Sequence, residues 1–280
     1  MPTDNQTSLF DIRGRVIAIT GALGALSSAA AAYFVAQGAK VAYLDLGMDA
    51  QKFEAVQAQC RAIDPCCEVM GLAANVLERA SLEKARDAIL EKWGRIDVLL
   101  NGAGGNMAGA TIPPEKTFFD LEFSAFEKVV DLNLHGTVLP SMVFGEVMAR
   151  QGKGAIVNFS SVSADRALSR VVGYSAAKAA VTNFTRWLGV ELARQTKGGV
   201  RVNAVMPGFF VGEQNRRLLT NEDGSLTARG EQIINQTPFG RFGVAEELRG
   251  TLHFLISDAA GFTTGVTVAV DGGFTAFCGV

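Results

Sequence analysis

The stretch VIAITGALGALSSAA, residues 16–30, joins an apolar run to a helix of small residues through a turn that holds Gly21 and Gly24. A strand, a glycine turn and a helix in this order are typical of a dinucleotide-binding unit, in which the first N–H groups of the helix receive a pyrophosphate. Ala25 and Ser27 occupy two places where such a turn usually has glycine. A tight strand–helix turn with small residues for packing is the alternative interpretation.

The rest of the 280-residue chain alternates β-rich runs with helical patterns, which predicts βαβ units and a parallel sheet. Strands are predicted at residues 16–20, 40–44, 68–73, 96–101, 155–160, 200–205 and 267–270. Helices are predicted at residues 26–37, 50–62, 82–92, 126–150, 174–195 and 245–256. Two long segments, 104–124 and 208–238, follow predicted strands at their carboxyl ends, where open parallel sheets bind ligands.

Composition excludes several classes of partner. A formal net charge of −2 gives no electrostatic reason to expect nucleic acid or an anionic membrane. The four cysteines and two histidines have no metal-ligand spacing, so no metal site is expected. Without a signal-peptide pattern or a spanning apolar segment, the expected location is the cytoplasm.

Asp45 ends the second predicted strand, about 20 residues after the glycine turn, where a carboxylate accepts hydrogen bonds from an adenosine ribose. An exposed acid at a strand end is the alternative. The same carboxylate would repel a 2′-phosphate, and no Lys or Arg lies between Gly21 and Lys40 or directly after Asp45. A bound dinucleotide is therefore predicted to be NAD rather than NADP.

A second motif is the pair Tyr174 and Lys178, four residues apart on one helical face. A tyrosine hydroxyl has a reference pKa of about 10, and a neighbouring ammonium favours its phenolate form. Ser161 lies thirteen positions before Tyr174, after the apolar run AIVNF, and its hydroxyl can meet a substrate oxygen from the other side. Taken singly, each of these residues is more often an ordinary surface side chain.

The order and spacing of these motifs resemble the short-chain dehydrogenase/reductase family from about Phe10 to the end of the chain. The matching motifs are Thr20-Gly21 with its turn, Asn101-Gly102-Ala103-Gly104, Asn133, Ser161, Tyr174 with Lys178, and Pro207-Gly208. The resemblance implies one α/β domain over residues 1–280, a single Rossmann-type doubly wound parallel sheet of about seven strands with helices on both faces. It also implies a nicotinamide cofactor and reversible oxidation of an alcohol to a carbonyl.

The resemblance assigns roles residue by residue. Tyr174 would be the general acid/base, Lys178 would bind the nicotinamide ribose, Ser161 would bond the reacting oxygen, and Asn133 would hold a relay water. Asn75 takes the place of an acidic residue that contacts adenine. The implied cofactor-binding set is Gly21, Gly24, Leu26, Asp45, Asn75, Val76, Asn101, Ala103, Gly104, Tyr174, Lys178, Pro207, Gly208 and Phe210.

Three residues depart from the family pattern. Ala25 and Ser27 replace glycines, so the turn is expected to bind the phosphates with a changed set of contacts. A serine hydroxyl would be a further hydrogen-bond donor. Gly212 stands where the family commonly has a threonine whose hydroxyl holds the carboxamide. That side-chain contact is therefore absent, while main-chain contacts from Phe210 and Val211 remain available.

Further stretches, among them EKTFFDLE and TPFGRFG, resemble the D-mannonate oxidoreductase (fructuronate reductase) branch of the family. A sugar acid needs a cation for its carboxylate and polar groups for its hydroxyls. Candidate substrate residues are Asn106, Arg166, Asn215 and Arg216, with Gln214 and Arg217 beside them. Arg166 is preferred because it closely follows Ser161. A homotetramer paired through helices 126–150 and 174–195 is also expected from the family.

Several alternatives stay open. Another polyol, gluconate or 3-oxoacyl reductase of the same family fits the same motifs, and so does a dinucleotide-binding protein without catalysis. A hydrolase is a further alternative, since GYSAA, residues 173–177, nearly matches the nucleophile elbow and Asp223 and His253 follow in order.

Overall fold

The computed structural model describes residues 8–212, 216 and 218–279. Seven parallel strands form one sheet: β1 (Val16–Thr20), β2 (Lys40–Asp45), β3 (Val69–Ala73), β4 (Val98–Asn101), β5 (Gly154–Phe159), β6 (Val200–Pro207) and β7 (Thr267–Val270). Their order across the sheet is β3-β2-β1-β4-β5-β6-β7. The prediction of a doubly wound parallel α/β sheet with about seven strands is confirmed.

Helices cover both faces of this sheet. They are α1 (Ala25–Ala36), α2 (Ala50–Ile63), α3 (Arg79–Trp93), α4 (Phe123–Val130), α5 (Gly136–Gln151), α6 (Val172–Gln195), α7 (Ala228–Asn235) and α8 (Arg249–Ile256). Phe34 of α1 and Leu252 of α8 pack in the core on one face. Leu82 of α3 and Phe144 of α5 pack in the core on the other face. Both faces are apolar because the strands are covered twice, which explains their unbroken hydrophobic runs.

The strand order creates a crevice after β1 and β4. Thr20 is the last residue of β1 and pairs with Leu44 on one side and Asn101 on the other. The chain leaves β1 toward one face of the sheet and leaves β4 toward the other, so the two connections diverge at this point. Ligands of open α/β sheets bind at such a switch point, outside the carboxyl ends of the strands.

Three predicted elements differ in detail. The helix expected at 126–150 is divided into α4, a π-helical turn (Asp131–His135) and α5. Apolar periodicity continues through the turn, so it carried no signal of the break. Segment 208–238 contains α7, which was not predicted. The helix expected at 245–256 begins as a 3₁₀ turn, Ala245–Leu248, before α8.

No helix in the described ranges combines the length and the apolar character needed to cross a membrane.

Candidate active site

A cavity of about 1640 Å³ opens at the carboxyl ends of the strands. One end is bordered by the turn after β1, including Gly21 and Gly24, and by Asp45. Ser161, Tyr174 and Lys178 line its wall, and segments 104–124 and 208–238 contribute the rest. The cavity therefore joins both sequence motifs in one continuous space.

The turn after β1 packs directly on the chain that leaves β4. Gly21 has a φ of +59°, and a Cβ atom there would lie 2.6 Å from the Ala103 Cα. Helix α1 begins at Ala25 without a side-chain cap, and Gly24, Ala25 and Leu26 all line the cavity. The first N–H groups of a helix have no acceptor within it, so this end of the cavity is suited to an anion such as a pyrophosphate.

The departures from the expected glycines do not fill this cradle. Ser27 is buried, and its side chain packs against Gly102 rather than across the start of α1. Ala25 and Gly212 face each other: a Cβ atom on Gly212 would lie 3.4 Å from the Ala25 Cβ. Relative to the family pattern, residue 25 gains a methyl group and residue 212 loses a side chain. The Ala25 methyl group therefore lies beside the space that a side chain at residue 212 would take.

Asp45 holds the same turn from the neighbouring strand. Its carboxylate accepts hydrogen bonds from the N–H groups of Leu23 (3.1 Å) and Gly47 (2.9 Å). Lys52 donates to the Gly47 carbonyl at 2.6 Å. The expectation of no cation near Asp45 therefore needs correction, because α2 brings Lys52 back to the loop that follows β2.

Tyr174 and Lys178 lie in the first turns of α6, and Ser161 begins a 3₁₀ turn after β5. The Lys178 ammonium is 5.5 Å from the centre of the Tyr174 ring and donates to the Phe159 carbonyl at 2.8 Å. The Ser161 hydroxyl, which accepts a hydrogen bond from the Ser163 N–H at 3.2 Å, lies near enough to the Tyr174 phenol to lower the pKa of that phenol. The three side chains expected to act together are thus side by side on the cavity wall.

Burial shifts the pKa of both groups toward the neutral form. It raises the pKa of the Tyr174 phenol, and the Ser161 hydroxyl partly opposes the rise. It lowers the pKa of Lys178 from 10.5 to about 8. Since the ammonium still holds its proton at neutral pH, it can favour a phenolate on Tyr174.

Asn133 is buried at the centre of the π-helical turn. Its amide nitrogen donates to the carbonyls of Gly105 (2.7 Å) and Val129 (2.8 Å), and its side-chain oxygen accepts from the Gly105 N–H at 3.1 Å. A Cβ atom on Gly104 would lie 2.7 Å from that oxygen and 3.2 Å from the Lys178 Nζ. The Asn133 side chain therefore fixes the loop that lines the cavity next to Lys178.

The structure places most of the expected cofactor-binding residues on the cavity wall. They are Gly21, Gly24, Leu26, Asp45, Ala103, Gly104, Tyr174, Lys178, Pro207, Gly208 and Phe210.

Asn101, Asn75 and Val76 do not line the cavity. Asn101 is buried and donates to Ser141 (2.9 Å) and Asn158 (2.8 Å), which ties β4 to α5 and β5. Asn75 donates to Glu78 at 2.8 Å, and its side-chain oxygen accepts from the Leu77 N–H at 3.0 Å.

The substrate candidates separate in the structure. Asn106 lines the cavity and donates to Thr111 at 2.8 Å. Arg166 is exposed, donates to the Thr275 carbonyl and does not line the cavity. Its expected place beside the reacting carbon is wrong, because the 3₁₀ turn after Ser161 carries it outward. Arg216 is exposed and also lies off the cavity wall, while Asn215 falls outside the described residues, as do Gln214 and Arg217.

Arg229 also lines the cavity, although it was not among the substrate residues predicted from the sequence. It lies in the first turn of α7, inside the segment that was expected to contact substrate. Thr227 caps this helix by accepting from the Gly230 N–H at 3.1 Å. A threonine three residues before Gly230 is a helix-start signal, so the short stretch TARGEQIIN carried the information.

The residues of the alternative hydrolase triad are not brought together. Ser175 lies within the first turn of α6 and not at a strand–helix elbow. Both ring nitrogens of His253 are engaged, by the Tyr33 hydroxyl (2.9 Å) and the Phe10 carbonyl (2.5 Å). Asp223 accepts from Ser225. Within the described residues, no group of three or more metal-ligating side chains is arranged around an ion site.

Comparisons with known proteins agree with this geometry. A family model described as enoyl-(acyl carrier protein) reductase matches residues 21–275. The uncharacterized oxidoreductase UxuB of Bacillus subtilis is 43% identical over 280 residues, covering 96% of this chain and 98% of its own. D-threitol dehydrogenase of Mycolicibacterium smegmatis is 34% identical over 268 residues, covering 95% of each chain.

Among solved structures, one from Haemophilus influenza with bound NAD, described as a "putative D-Mannonate oxidoreductase", superposes with a TM-score of 0.88. It is 39% identical and covers 96% of this chain and 98% of its own. The family model matches most of the chain, the relatives align over nearly their whole lengths, and Ser161, Tyr174 and Lys178 lie together on one wall. The chain therefore belongs to the short-chain dehydrogenase/reductase family.

Proposed function

We propose that this protein is an NAD-dependent oxidoreductase that interconverts an alcohol and a carbonyl. The observation that carries the proposal is the grouping of Ser161, Tyr174 and Lys178 on the wall of a cavity that the β1 turn also lines. A nicotinamide cofactor would supply hydride transfer at the substrate carbon, as NAD+ when the alcohol is oxidised and as NADH when the carbonyl is reduced. The protein's own residues handle the proton and the oxygen.

Tyr174 exchanges the proton. In the oxidation direction its phenolate oxygen takes the proton of the substrate hydroxyl, and in the reduction direction the phenol gives the proton back. Ser161 donates a hydrogen bond to the same substrate oxygen and thereby holds it against Tyr174. The charge of Lys178 lowers the cost of the phenolate, and its bond to the Phe159 carbonyl keeps the ammonium in place.

Asn133 acts on this group through the loop that it fixes. Its three hydrogen bonds to Gly105 and Val129 set the position of Gly104, which lies between Asn133 and Lys178. We assign it a positioning role, and the family resemblance implies that it would also hold a relay water.

The cofactor site favours NAD. The N–H groups at the start of α1 suit the pyrophosphate, and Asp45 at the end of β2 suits the two hydroxyls of an adenosine ribose. The Haemophilus relative with bound NAD supports this choice. Lys52 reduces the repulsion of a 2′-phosphate without removing it, since Asp45 lines the cavity and Lys52 does not.

We further propose that the substrate is a sugar acid, with D-mannonate and D-fructuronate as the pair. The similarity to the Haemophilus protein supports the acid, and the similarity to D-threitol dehydrogenase supports a polyhydroxylated chain. The polar side chains of Asn106, Thr111 and Thr117, which border the cavity, support a polyhydroxylated ligand.

The test is a reduction assay that follows NADH consumption over matched carbonyl compounds. D-Fructuronate, D-fructose and an acetoacetyl thioester separate the sugar acid from the neutral sugar and from the acyl substrate. The proposal expects the highest kcat/KM with the acid. Equal or better reduction of fructose or of the thioester would remove the sugar-acid assignment and leave the oxidoreductase.

A further inference from the structure

We propose that Arg229 binds the carboxylate of the substrate and is the residue that makes the cavity selective for an acid. This inference rests on the proposed function, which supplies the acid. Arg229 is the one arginine of the described residues that lines the cavity.

The guanidinium lacks an anionic partner within the described part of the chain. Its Nη1 donates to the Ser169 hydroxyl at 3.2 Å, and no described carboxylate forms an ion pair with it. A guanidinium has five N–H donors in a flat fork, so most of its hydrogen-bonding capacity is left for a ligand.

The surroundings of Arg229 favour an added negative charge. The side chain is half-buried, and burial followed by the nearby positive charge of Arg170 lowers its pKa. Arg229 and Arg170 carry like charges that repel each other, and burial removes part of the hydration of Arg229. A bound carboxylate would offset both the repulsion and the lost hydration. A bound anion would therefore offset part of the cost of burying this guanidinium.

The side chain is also held in place, as a selective contact requires. Thr227 fixes the start of α7 to the cavity wall, since its N–H donates to the Leu219 carbonyl (3.0 Å) and its hydroxyl to the Leu218 carbonyl (2.7 Å). Leu218 and Leu219 line the same cavity. Ser169 orients the guanidinium from the other side and lies five residues before Tyr174.

Arg170, next to Ser169, adopts the left-handed backbone conformation with a φ of +75°. Its carbonyl accepts a hydrogen bond at 3.0 Å from the N–H of Ile112, in the other cavity segment. A non-glycine residue in this conformation is strained and persists where the surrounding structure holds it. Segments 104–124 and 208–238 thus meet at residues 169 and 170, directly ahead of the helix that carries Tyr174.

Lys116 supplies the matched control, because it is a cation that also lines the cavity but is exposed on its loop. The variants are Arg229→Gln, Arg229→Lys and Lys116→Gln, each assayed with D-fructuronate and with neutral D-fructose. Arg229→Gln should lower kcat/KM for the acid by about ten- to a hundredfold and leave that for fructose within about threefold. Arg229→Lys should recover part of the loss, since it keeps the charge and loses the fork. Lys116→Gln should lower kcat/KM for the acid by less than Arg229→Gln does, because Lys116 is exposed on its loop.

A binding measurement without turnover gives the second readout. Calorimetric titration of D-mannonate into protein saturated with NADH forms a complex that cannot react. Its Kd should rise at least about tenfold in Arg229→Gln and by less in Lys116→Gln.

The two failures are distinguishable. If the wild-type protein prefers the acid and Arg229→Gln keeps that preference and that Kd, the role of Arg229 is wrong while the proposed function stands. If Lys116→Gln, and not Arg229→Gln, lowered kcat/KM for the acid, the assignment of carboxylate binding to Arg229 would also be overturned. If the wild-type protein does not prefer the acid, the sugar-acid assignment fails and the inference falls with it.

Discussion

Gly21 lies so close to Ala103 that a Cβ atom on residue 21 would be 2.6 Å from the Ala103 Cα. This contact joins the turn after β1 to the chain leaving β4 and sets the shape of the cavity end that suits a pyrophosphate. A side chain at residue 21 would thus meet two obstacles, the main chain of Ala103 and the left-handed conformation of Gly21 itself, which has a φ of +59°. Both are features of the main chain. Neither can be relieved by a side-chain rotation.

We therefore predict that Gly21→Ala weakens NADH binding strongly and destabilises the fold by more than the conformational strain alone. That strain is about 1–2 kcal/mol for a left-handed residue. Gly94→Ala is the matched control, because Gly94 has a φ of +74° with open space around it. Chemical denaturation and NADH fluorescence titration measure the two effects. Equal losses in both variants would contradict a role for the contact with Ala103.

The second prediction concerns the buried ammonium of Lys178. Its pKa falls from 10.5 to about 8 on burial, so the unfolded chain binds this proton more tightly than the folded protein does. Below about pH 8 the charged Lys178 therefore lowers the free energy of unfolding by its full amount. This loss shrinks as the pH rises and disappears near pH 10.5. Lys178→Met should raise the Tm near neutral pH, and this gain should shrink as the pH increases.

Thermal melts over that pH range test the sign, with Lys84→Met on the exposed surface of α3 as control. A gain that stays constant or grows with pH would contradict the assignment of the shift to Lys178. The same substitution should abolish turnover, so stability and activity move in opposite directions.

Cofactor preference is the third prediction. NADH should bind at least tenfold more tightly than NADPH, a difference of about 1.4 kcal/mol, because Asp45 lines the end of the cavity proposed to hold the adenosine ribose. Asp45→Ala should narrow this ratio, and Lys52→Ala should widen it, since Lys52 is the cation nearest the loop after β2. Fluorescence titrations with both cofactors measure the ratio. An unchanged ratio in Asp45→Ala would refute the argument.

The fourth prediction concerns assembly. Met142 on α5 and Trp187 and Val190 on α6 are at least half exposed, at 53%, 61% and 50%. Apolar faces of this kind on the two long helices favour pairing across a two-fold axis, as expected from the family. Light scattering should give a tetramer mass for the wild type and a smaller mass for Trp187→Glu. A monomer at micromolar concentration in the wild type would rule the assembly out.

The fold could be predicted from sequence because its signals are local. Runs such as VIAI before Gly21 and AIVNF before Ser161 mark buried parallel strands, and the observed strands agree with them within about two residues. The π-helical turn at Asn133 carried no such signal. It depends on a partner distant in sequence, the main chain of Gly105.

The site could be predicted only in part, for the same reason. Motif spacing identified Ser161, Tyr174 and Lys178, which share one wall. Closeness in sequence misled for Arg166, because the turn after Ser161 directs it to the Thr275 carbonyl. Arg229 is 68 residues after Ser161 in sequence and reaches the cavity through the packing of α7 on Leu218 and Leu219.

We propose that Tyr174 transfers the proton in an oxidoreductase reaction, and Tyr174→Phe removes only the hydroxyl that does so. The decisive measurement is turnover of NADH with D-fructuronate in this variant, combined with NADH titration of the same sample. We expect turnover to fall by at least about a hundredfold while NADH affinity is preserved. Retention of most of the turnover by a protein that lacks the Tyr174 hydroxyl would contradict it.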